Sequence, residues 1–181
     1  MKRGVTAAEF EELYRATVRD LFGYVRRRGG HDAEEVVAEA YAVAWRRRDD
    51  LPEPAHRRAW LFGVTRTLLL AAGRVQQREN GLIRALSNSP VHGDVTDNGG
   101  HTADAMTAAL ERLEPGQREV LRLVGWEGLT PVELAVALGV RPGTARVRLH
   151  RARQALAADP EVRALVEARS QRFCAETPSS A

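Results

Sequence analysis

The sequence predicts an all-α protein made of two small helical domains joined by a flexible linker. Apolar residues recur at helical spacing along most of the chain, and no segment shows the two-residue alternation typical of a strand. Residues 85–103 interrupt the pattern, because Gly, Pro, Ser, Asn and Asp leave almost no large apolar side chain there. We therefore expect a first domain over 6–84, a polar linker over 85–103, a second domain over 104–158 and a tail over 159–181.

The first domain opens with two amphipathic helices whose starts are marked by capping residues. The first helix is predicted over about 7–28, where Thr6 and Glu9 have the spacing of a capping box. The second is predicted over about 33–48, behind Asp32 as its N-cap. Both caps place a side-chain oxygen where it can accept from the unpaired N–H groups of the first turn.

The third helix is predicted over about 55–80 and carries the first basic segment. These residues hold five Arg against one Glu, a balance that favours contact with phosphates. The stretch 68–72 is apolar nearly all round, which predicts a central position for this helix. Trp60 falls on the apolar pattern, so we interpret it as a core residue, with stacking on a base as the alternative.

The second domain contains two short helices, from about 104 and over 115–126, and then a predicted helix-turn-helix over 129–153. Thr130 is expected as the N-cap of its first helix, and Gly139 supplies the turn because a residue without Cβ readily takes positive φ. The second helix starts near Pro142. Its predicted buried stripe comprises Ala145, Leu149, Ala152 and Leu156. One more helix is expected over 160–173 behind Asp159, with disorder over 177–181.

Residues 129–153 form the second basic segment, again with five Arg against one Glu. An exposed Arg-rich second helix in a helix-turn-helix is the geometry that reads the major groove of DNA. The alternative interpretation is an ordinary helical hairpin with a solvated basic face.

Composition excludes several classes of function. The net charge is +3 and the sequence pI about 9.6, with Lys2 as the single lysine. A lone Cys174 excludes an internal disulfide framework and a cysteine-based zinc site. None of the five histidines pairs with another histidine at helical ligand spacing, so we expect no catalytic residue, no metal and no cofactor. No apolar run approaches a membrane span, and we expect a cytoplasmic protein.

Four stretches resemble the extracytoplasmic-function (ECF, group 4) sigma factors of the sigma-70 family. They are residues 32–41 with Ala44 and Trp45, 58–62, 113–121 and 127–153. Each stretch alone is a weak signal, whereas all four in order around a polar linker are specific. The resemblance spans roughly residues 10–156. It implies a sigma region 2-like helical bundle followed by a sigma region 4-like helix-turn-helix domain.

That resemblance implies an alternative sigma factor, which is not an enzyme. Such a protein binds core RNA polymerase, directs it to promoters through −35 and −10 elements, and helps melt the duplex. The implied partners are promoter DNA and core polymerase, through the clamp helices of its largest subunit and the flap of its second-largest subunit. An anti-sigma factor is a further candidate partner.

The family's functional residues can be carried over onto matching positions. The implied −10 contacts are Arg57, Arg58, Arg66, Thr67, Arg74 and Arg78. The implied −35 contacts are Arg141, Thr144, Arg146, Val147, Arg148 and Arg151. The implied docking residues for core polymerase are Asp32, Glu35, Glu39 and Trp45, with Tyr41 as apolar support.

The chain departs from the family pattern in both basic helices. Thr67 and Ala71 replace the usual Asn and Asp of the third helix. In the recognition helix Ala145 replaces Val, and Val147 replaces Ser, which exchanges a hydrogen-bonding side chain for one that can contact a thymine methyl. Three other interpretations stay open: a stand-alone helix-turn-helix regulator, a helical enzyme or metal protein, and a sigma-like interaction module without DNA binding.

Overall fold

The computed structural model describes the backbone of residues 4–29, 31–86 and 101–175, and the side chains of 4–29, 31–75 and 105–168. Its helices are α1 Ala7–Arg26, α2 Ala33–Arg46, α3 Pro54–Leu86, α4 His101–Arg112, α5 Pro115–Gly125, α6 Pro131–Leu138, α7 Pro142–Ala157 and α8 Pro160–Ala175. No strand occurs within these ranges, and the predicted all-α class is confirmed for them. The expectations for most of the linker, for the end of the tail and for the side chains of Arg78 and Cys174 fall outside the described residues.

The chain divides into two compact units. The first comprises residues 1–95 with 132–141, and the second comprises 96–131 with 142–181. The sequence prediction had placed all of 104–158 in one domain, whereas the eight-residue helix α6 is grouped with the first unit. The domain boundaries therefore stay a prediction.

Local hydrogen bonds start the first two helices where the capping pattern predicts. The Glu9 N–H donates to Thr6 Oγ1 at 3.3 Å, and the Thr6 N–H donates to Glu9 Oε2 at 2.8 Å, which completes the capping box. Asp32 Oδ1 accepts from the N–H groups of Glu34 and Glu35 at the start of α2. Both helices end two residues earlier than predicted, at Arg26 and Arg46. The last two arginines of each predicted helix already belong to the turn that follows it.

The core of the first unit forms where α1, α2 and α3 pack on one another. Its fully buried members include Leu21, Tyr24, Val25, Ala40, Ala44, Leu61 and Phe62. One buried polar link joins two of the helices, a 2.7 Å hydrogen bond between Thr17 Oγ1 and the Tyr41 hydroxyl. Burial raises the pKa of Tyr41 to about 12, because the low-dielectric surroundings disfavour the phenolate.

The centre of α3 is less buried than its composition predicts. Leu69 faces the core, whereas Leu70 is 46% exposed and Ala71 is also exposed. Helix α3 packs on both α1 and α2, in keeping with its predicted central position, but this stretch leaves one side of the helix exposed. An all-apolar run does not reveal which of its sides meets another helix, since every side satisfies the pattern.

The second unit is built from two helix pairs. Helix α5 packs on α7, and α4 packs on α8, with a smaller contact between α7 and α8. Ala109, Leu123, Ala145 and Ala152 are completely buried in it. The predicted buried stripe of α7 is confirmed at Ala145, Leu149 and Ala152, while Leu156 is only half-buried. No helix in the described ranges is both long and apolar enough to cross a membrane.

Candidate nucleic-acid and polymerase interfaces

Helix α7 presents a continuous exposed face made of the residues proposed to meet the −35 element. Gly139, at φ +62°, turns the chain three residues before α7 begins at Pro142. With about 3.6 residues per turn, the buried stripe of α7 leaves Val147 on the opposite side of the helix. Val147 is 50% exposed. The others of the set are exposed as well: Arg141, Thr144, Arg146, Arg148 and Arg151.

The cations of this face are available to a ligand. Among the described residues, no hydrogen bond or ion pair engages the guanidinium groups of Arg141, Arg146, Arg148 or Arg151. Arg141 directly precedes α7, and the other three lie along its N-terminal and central turns, the part of a recognition helix that approaches base edges. A guanidinium that holds no internal partner can donate its full set of N–H groups to phosphate or to guanine.

Two further residues belong to the same exposed face. His150 and Gln154 are exposed and lie three and seven residues after Val147, a spacing that places them on its side of α7. The sequence interpretation left them out because it followed the arginines. The helical spacing from the buried stripe could have found both.

The cations proposed for the −10 region are held differently. Arg58 donates from Nε and Nη2 to Asp20 Oδ2, at 3.0 and 2.9 Å, across to helix α1. Its guanidinium also lies 4.9 Å from the centre of the Phe62 ring. Arg57 donates from Nε to the carbonyl of Pro52 at 3.2 Å. Both side chains are half-buried, so their first role is to tie α3 to its surroundings.

The remaining predicted −10 residues divide between two sides of α3. Thr67 and Arg74 are seven residues apart on the side opposite the buried stripe, and both are exposed. Thr67 Oγ1 donates to the Gly63 carbonyl at 2.9 Å. Arg66 lies further round the helix and is half-buried, and its Nε is buried without a hydrogen-bond partner among the described residues.

Trp60 joins the exposed side of α3 and not the core. It lies seven residues before Thr67 and is half-buried, which corrects its interpretation as a core residue. The guanidinium of Arg47 lies 5.8 Å from the centre of its ring. The sequence interpretation did not identify Arg47, because the contact joins the end of α2 to the start of α3. Trp60, Thr67 and Arg74 therefore form a single line of side chains along α3.

The proposed docking residues of α2 occupy more than one surface. Glu35 and Glu39 are exposed one turn apart on the side opposite the buried stripe, and Glu39 Oε1 accepts from Arg46 at 2.7 Å. Trp45 is 43% exposed but faces α1, where the Phe10 ring lies 5.0 Å away edge to face. Asp32 is occupied as the N-cap of α2. The structure thus brings Glu35 and Glu39 together and leaves Trp45 on the flank.

Two known protein families match the two regions of the chain that contain these helices. The family described as Sigma-70 region 2 matches residues 13–79, which contain α2 and most of α3. The family described as Sigma-70, region 4 matches residues 103–156, which end with α7.

Curated relatives match nearly the whole chain. The ECF RNA polymerase sigma factor SigL of Mycobacterium tuberculosis is 30% identical over 172 residues, covering 84% of this chain and 91% of SigL. The RNA polymerase sigma-E factor of Streptomyces coelicolor is 30% identical over 174 residues, covering 92% of this chain and 97% of that protein.

Two solved sigma-factor complexes share the fold. RpoE with the anti-sigma factor NepR from Bartonella quintana has a TM-score of 0.61 at 24% identity, covering 82% of this chain and 94% of RpoE. CnrH with the cytosolic domain of CnrY has a TM-score of 0.56 at 24% identity, covering 90% of each chain. With both sigma regions matched in order and relatives aligned over most of their length, this chain belongs to the ECF sigma factors of the sigma-70 family.

Proposed function

We propose that this alternative sigma factor, which binds core RNA polymerase and directs it to promoters, reads its two promoter elements by different physical means. Helix α7 reads the −35 duplex directly with exposed side chains. Helix α3 holds the opened −10 strand on a line of exposed side chains. Arginines near this line are already held by contacts within the protein. The observation that carries the proposal is the uninterrupted exposed face of α7, whose arginines hold no partner within the described part of the chain.

For the −35 element, Val147 lies at the centre of the contact and the arginines surround it. Arg148 and Arg151 are placed to reach phosphates or guanine edges, and Thr144 stands near the helix N-terminus, where phosphate is favoured. An aliphatic side chain at position 147 favours a base pair that offers the thymine methyl. We expect this preference to distinguish the promoter from those read by family members with Ser at that position.

For the −10 element, the exposed line of α3 offers an aromatic ring, a hydroxyl and a cation. Trp60, Thr67 and Arg74 could contact a base, a sugar and a phosphate in turn along one strand. Stacking on aromatic rings is how proteins hold single-stranded bases without strict sequence preference. Arg58, being engaged by Asp20, contributes by holding α3 in place.

For polymerase docking, the acidic pair Glu35 and Glu39 on α2 is the surface we assign to the clamp helices of the largest subunit. The flap of the second-largest subunit is assigned to the C-terminal domain. The complex of RpoE with the anti-sigma factor NepR makes an anti-sigma factor a candidate partner of this chain too. We place the protein in the cytoplasm, where the polymerase works, and assign it no catalytic activity, in keeping with sigma factors as initiation factors.

The test is run-off transcription with bacterial core polymerase on a library of randomised promoters, with and without the protein. Start sites that depend on the protein, with shared sequence at both elements, support the proposal and define the promoter. No dependent start site, combined with specific duplex binding by the protein alone, would instead identify a stand-alone helix-turn-helix regulator.

A further inference from the structure

The residues before helix α1 reach across to the turn that joins α2 to α3. Val5 is buried, and its N–H donates to the carbonyl of Arg48 at 3.2 Å. Among the described residues of the first unit, no other backbone hydrogen bond joins two such distant parts of the chain. Thr6, the next residue, caps α1. Residues 4–6, which we call the strap, therefore connect the start of α1 to the start of this turn.

Gly4 lets the strap pass close to the next residue of the turn. A Cβ added at Gly4 would collide with Asp49 Oδ1. The nearest backbone atom of the turn, the Cα of Asp49, lies 3.6 Å from the position of that Cβ, which is an ordinary contact distance. The collision is therefore with the carboxylate alone, and the lack of a side chain at Gly4 is what leaves room for it.

The two helices that flank the turn hold it as well. On the side of α2, the Asp50 N–H donates to the Arg47 carbonyl at 2.9 Å. On the side of α3, Arg57 donates from Nε to the Pro52 carbonyl, and Leu51 between them is buried. The strap adds a third attachment, which links the turn to the start of α1.

This turn begins at the cation that contacts Trp60. The guanidinium of Arg47 lies 5.8 Å from the centre of the Trp60 ring, and Arg47 directly precedes Arg48, whose carbonyl the strap holds. A cation over an aromatic ring restricts the orientations of both groups. A ring that is already oriented binds a base at a lower entropic cost than a mobile ring does. The position of the turn therefore affects how well Trp60 can receive a base.

We propose that the strap is a positioning element for −10 recognition, which fixes the turn and, through Arg47, the Trp60 ring on which a base of the opened strand stacks. The strap itself makes no contact with DNA. This inference rests on the proposed function, because it concerns how α3 holds that strand.

Gly4→Ala tests the strap in the holoenzyme formed with bacterial core polymerase. The probe is a single-stranded oligonucleotide that carries the −10 sequence of a promoter found by run-off transcription. We expect the affinity of the holoenzyme for this strand to fall about fivefold, which is ~1 kcal/mol and the lower end of what stacking contributes per base. The affinity for a −35 duplex should stay unchanged, because α7 belongs to the other unit.

Gly125→Ala is the matched control, since an added Cβ there meets no atom within 4 Å, and it should change neither affinity. An unchanged −10 affinity in Gly4→Ala would overturn the inference. Equal losses at the −10 strand and the −35 duplex would overturn it too, because the substitution would then have damaged the protein generally.

Two double-mutant cycles separate positioning from a purely structural effect. Asp49→Ala removes the carboxylate with which the new Cβ collides, so Gly4→Ala should cost nothing in that background. Trp60→Ala removes the ring through which the strap acts, so Gly4→Ala should have no further effect there either. A fivefold loss that persists in either background overturns the inference. If the unmodified holoenzyme does not bind the −10 strand, the proposed function fails first, and this inference with it.

Discussion

Helix α3 contains six arginines and α7 contains four, and the two helices hold several of them differently. In α3, Arg58 is paired with Asp20 and Arg57 with a backbone carbonyl, so these cations stabilise the first unit. In α7, the exposed arginines have no internal partner among the described residues. A basic segment in a sequence can therefore serve two different roles, internal stabilisation or ligand binding. Only the contacts of each guanidinium group in the folded protein distinguish the two.

The contrast matches what each element has to do. A helix that reads duplex DNA needs side chains that can reach base edges, at the cost of ordering them on binding. A helix that holds a melted strand needs a rigid position, because the strand itself is flexible. In the proposed function, the ion pair of α3 with Asp20 gives that rigidity, and the exposed line of Trp60, Thr67 and Arg74 makes the contacts.

The largest effect is expected from Arg148→Ala combined with Arg151→Ala. Each lost contact to a base or phosphate costs about 1–3 kcal/mol, so promoter-dependent transcription should fall by about 30-fold or more. Thermal stability should stay unchanged, since both side chains are exposed. Run-off transcription and calorimetry measure the two quantities. The matched control is Arg163→Ala, an exposed arginine on α8; equal losses in control and variant would contradict the assignment of α7.

The next effect concerns the buried link between α1 and α2. The folded state keeps the proton of Tyr41 up to about pH 12, whereas an unfolded tyrosine loses it near pH 10. The stability contributed by this raised pKa is therefore fully present below pH 10 and is lost as the pH rises through 12. We expect a loss of roughly 1–2 kcal/mol, allowing for solvent screening.

Urea unfolding at several alkaline pH values measures this loss, and Tyr41→Phe should remove it. Tyr14→Phe, which changes a neighbouring exposed ring, serves as the control and should keep the wild-type dependence. If Tyr41→Phe retains the same alkaline loss, the buried hydroxyl is not its source.

A smaller effect is expected on the stability of the first unit, because an arginine of α3 is held by an ion pair whereas the described arginines of α7 are not. Arg58→Ala should lower the free energy of unfolding by about 1 kcal/mol, because a half-exposed charged hydrogen bond to Asp20 is lost. Asp20→Asn should cost a similar amount, and the double variant should cost less than the sum. Strict additivity in this double-mutant cycle would show that the pair is not coupled.

The smallest expected effect is a change in sequence preference. Val147→Ser restores the hydrogen-bonding side chain usual in the family at this position and leaves stability within about 0.5 kcal/mol. We expect the preferred base pair at one −35 position to change, with a few-fold shift between competing promoters. Selection from a randomised −35 library measures this. An unchanged −35 sequence would show that Val147 does not contact a base.

Much of the fold follows from neighbouring residues. Thr6 with Glu9, Asp32 and Asp159 start their helices where the capping pattern predicts, because each cap bonds to the turn that follows it. The buried stripe of α7 follows from spacing alone at three of its four predicted positions. The face that we assign to DNA consists of the remaining, exposed positions of α7, so it too could be predicted from the sequence.

The sequence by itself determined the helices, their amphipathic faces, the two basic segments and the family. Only the tertiary structure decided which cations are engaged, that Trp60 lies on the exposed side of α3, and that Arg112 holds the start of α8. Arg58 meets Asp20 across 38 positions of sequence, and Arg112 meets Asp159 across 47. Caps and helical spacing depend on bonds within a few residues, whereas these pairs depend on how separate helices pack, which no local pattern records.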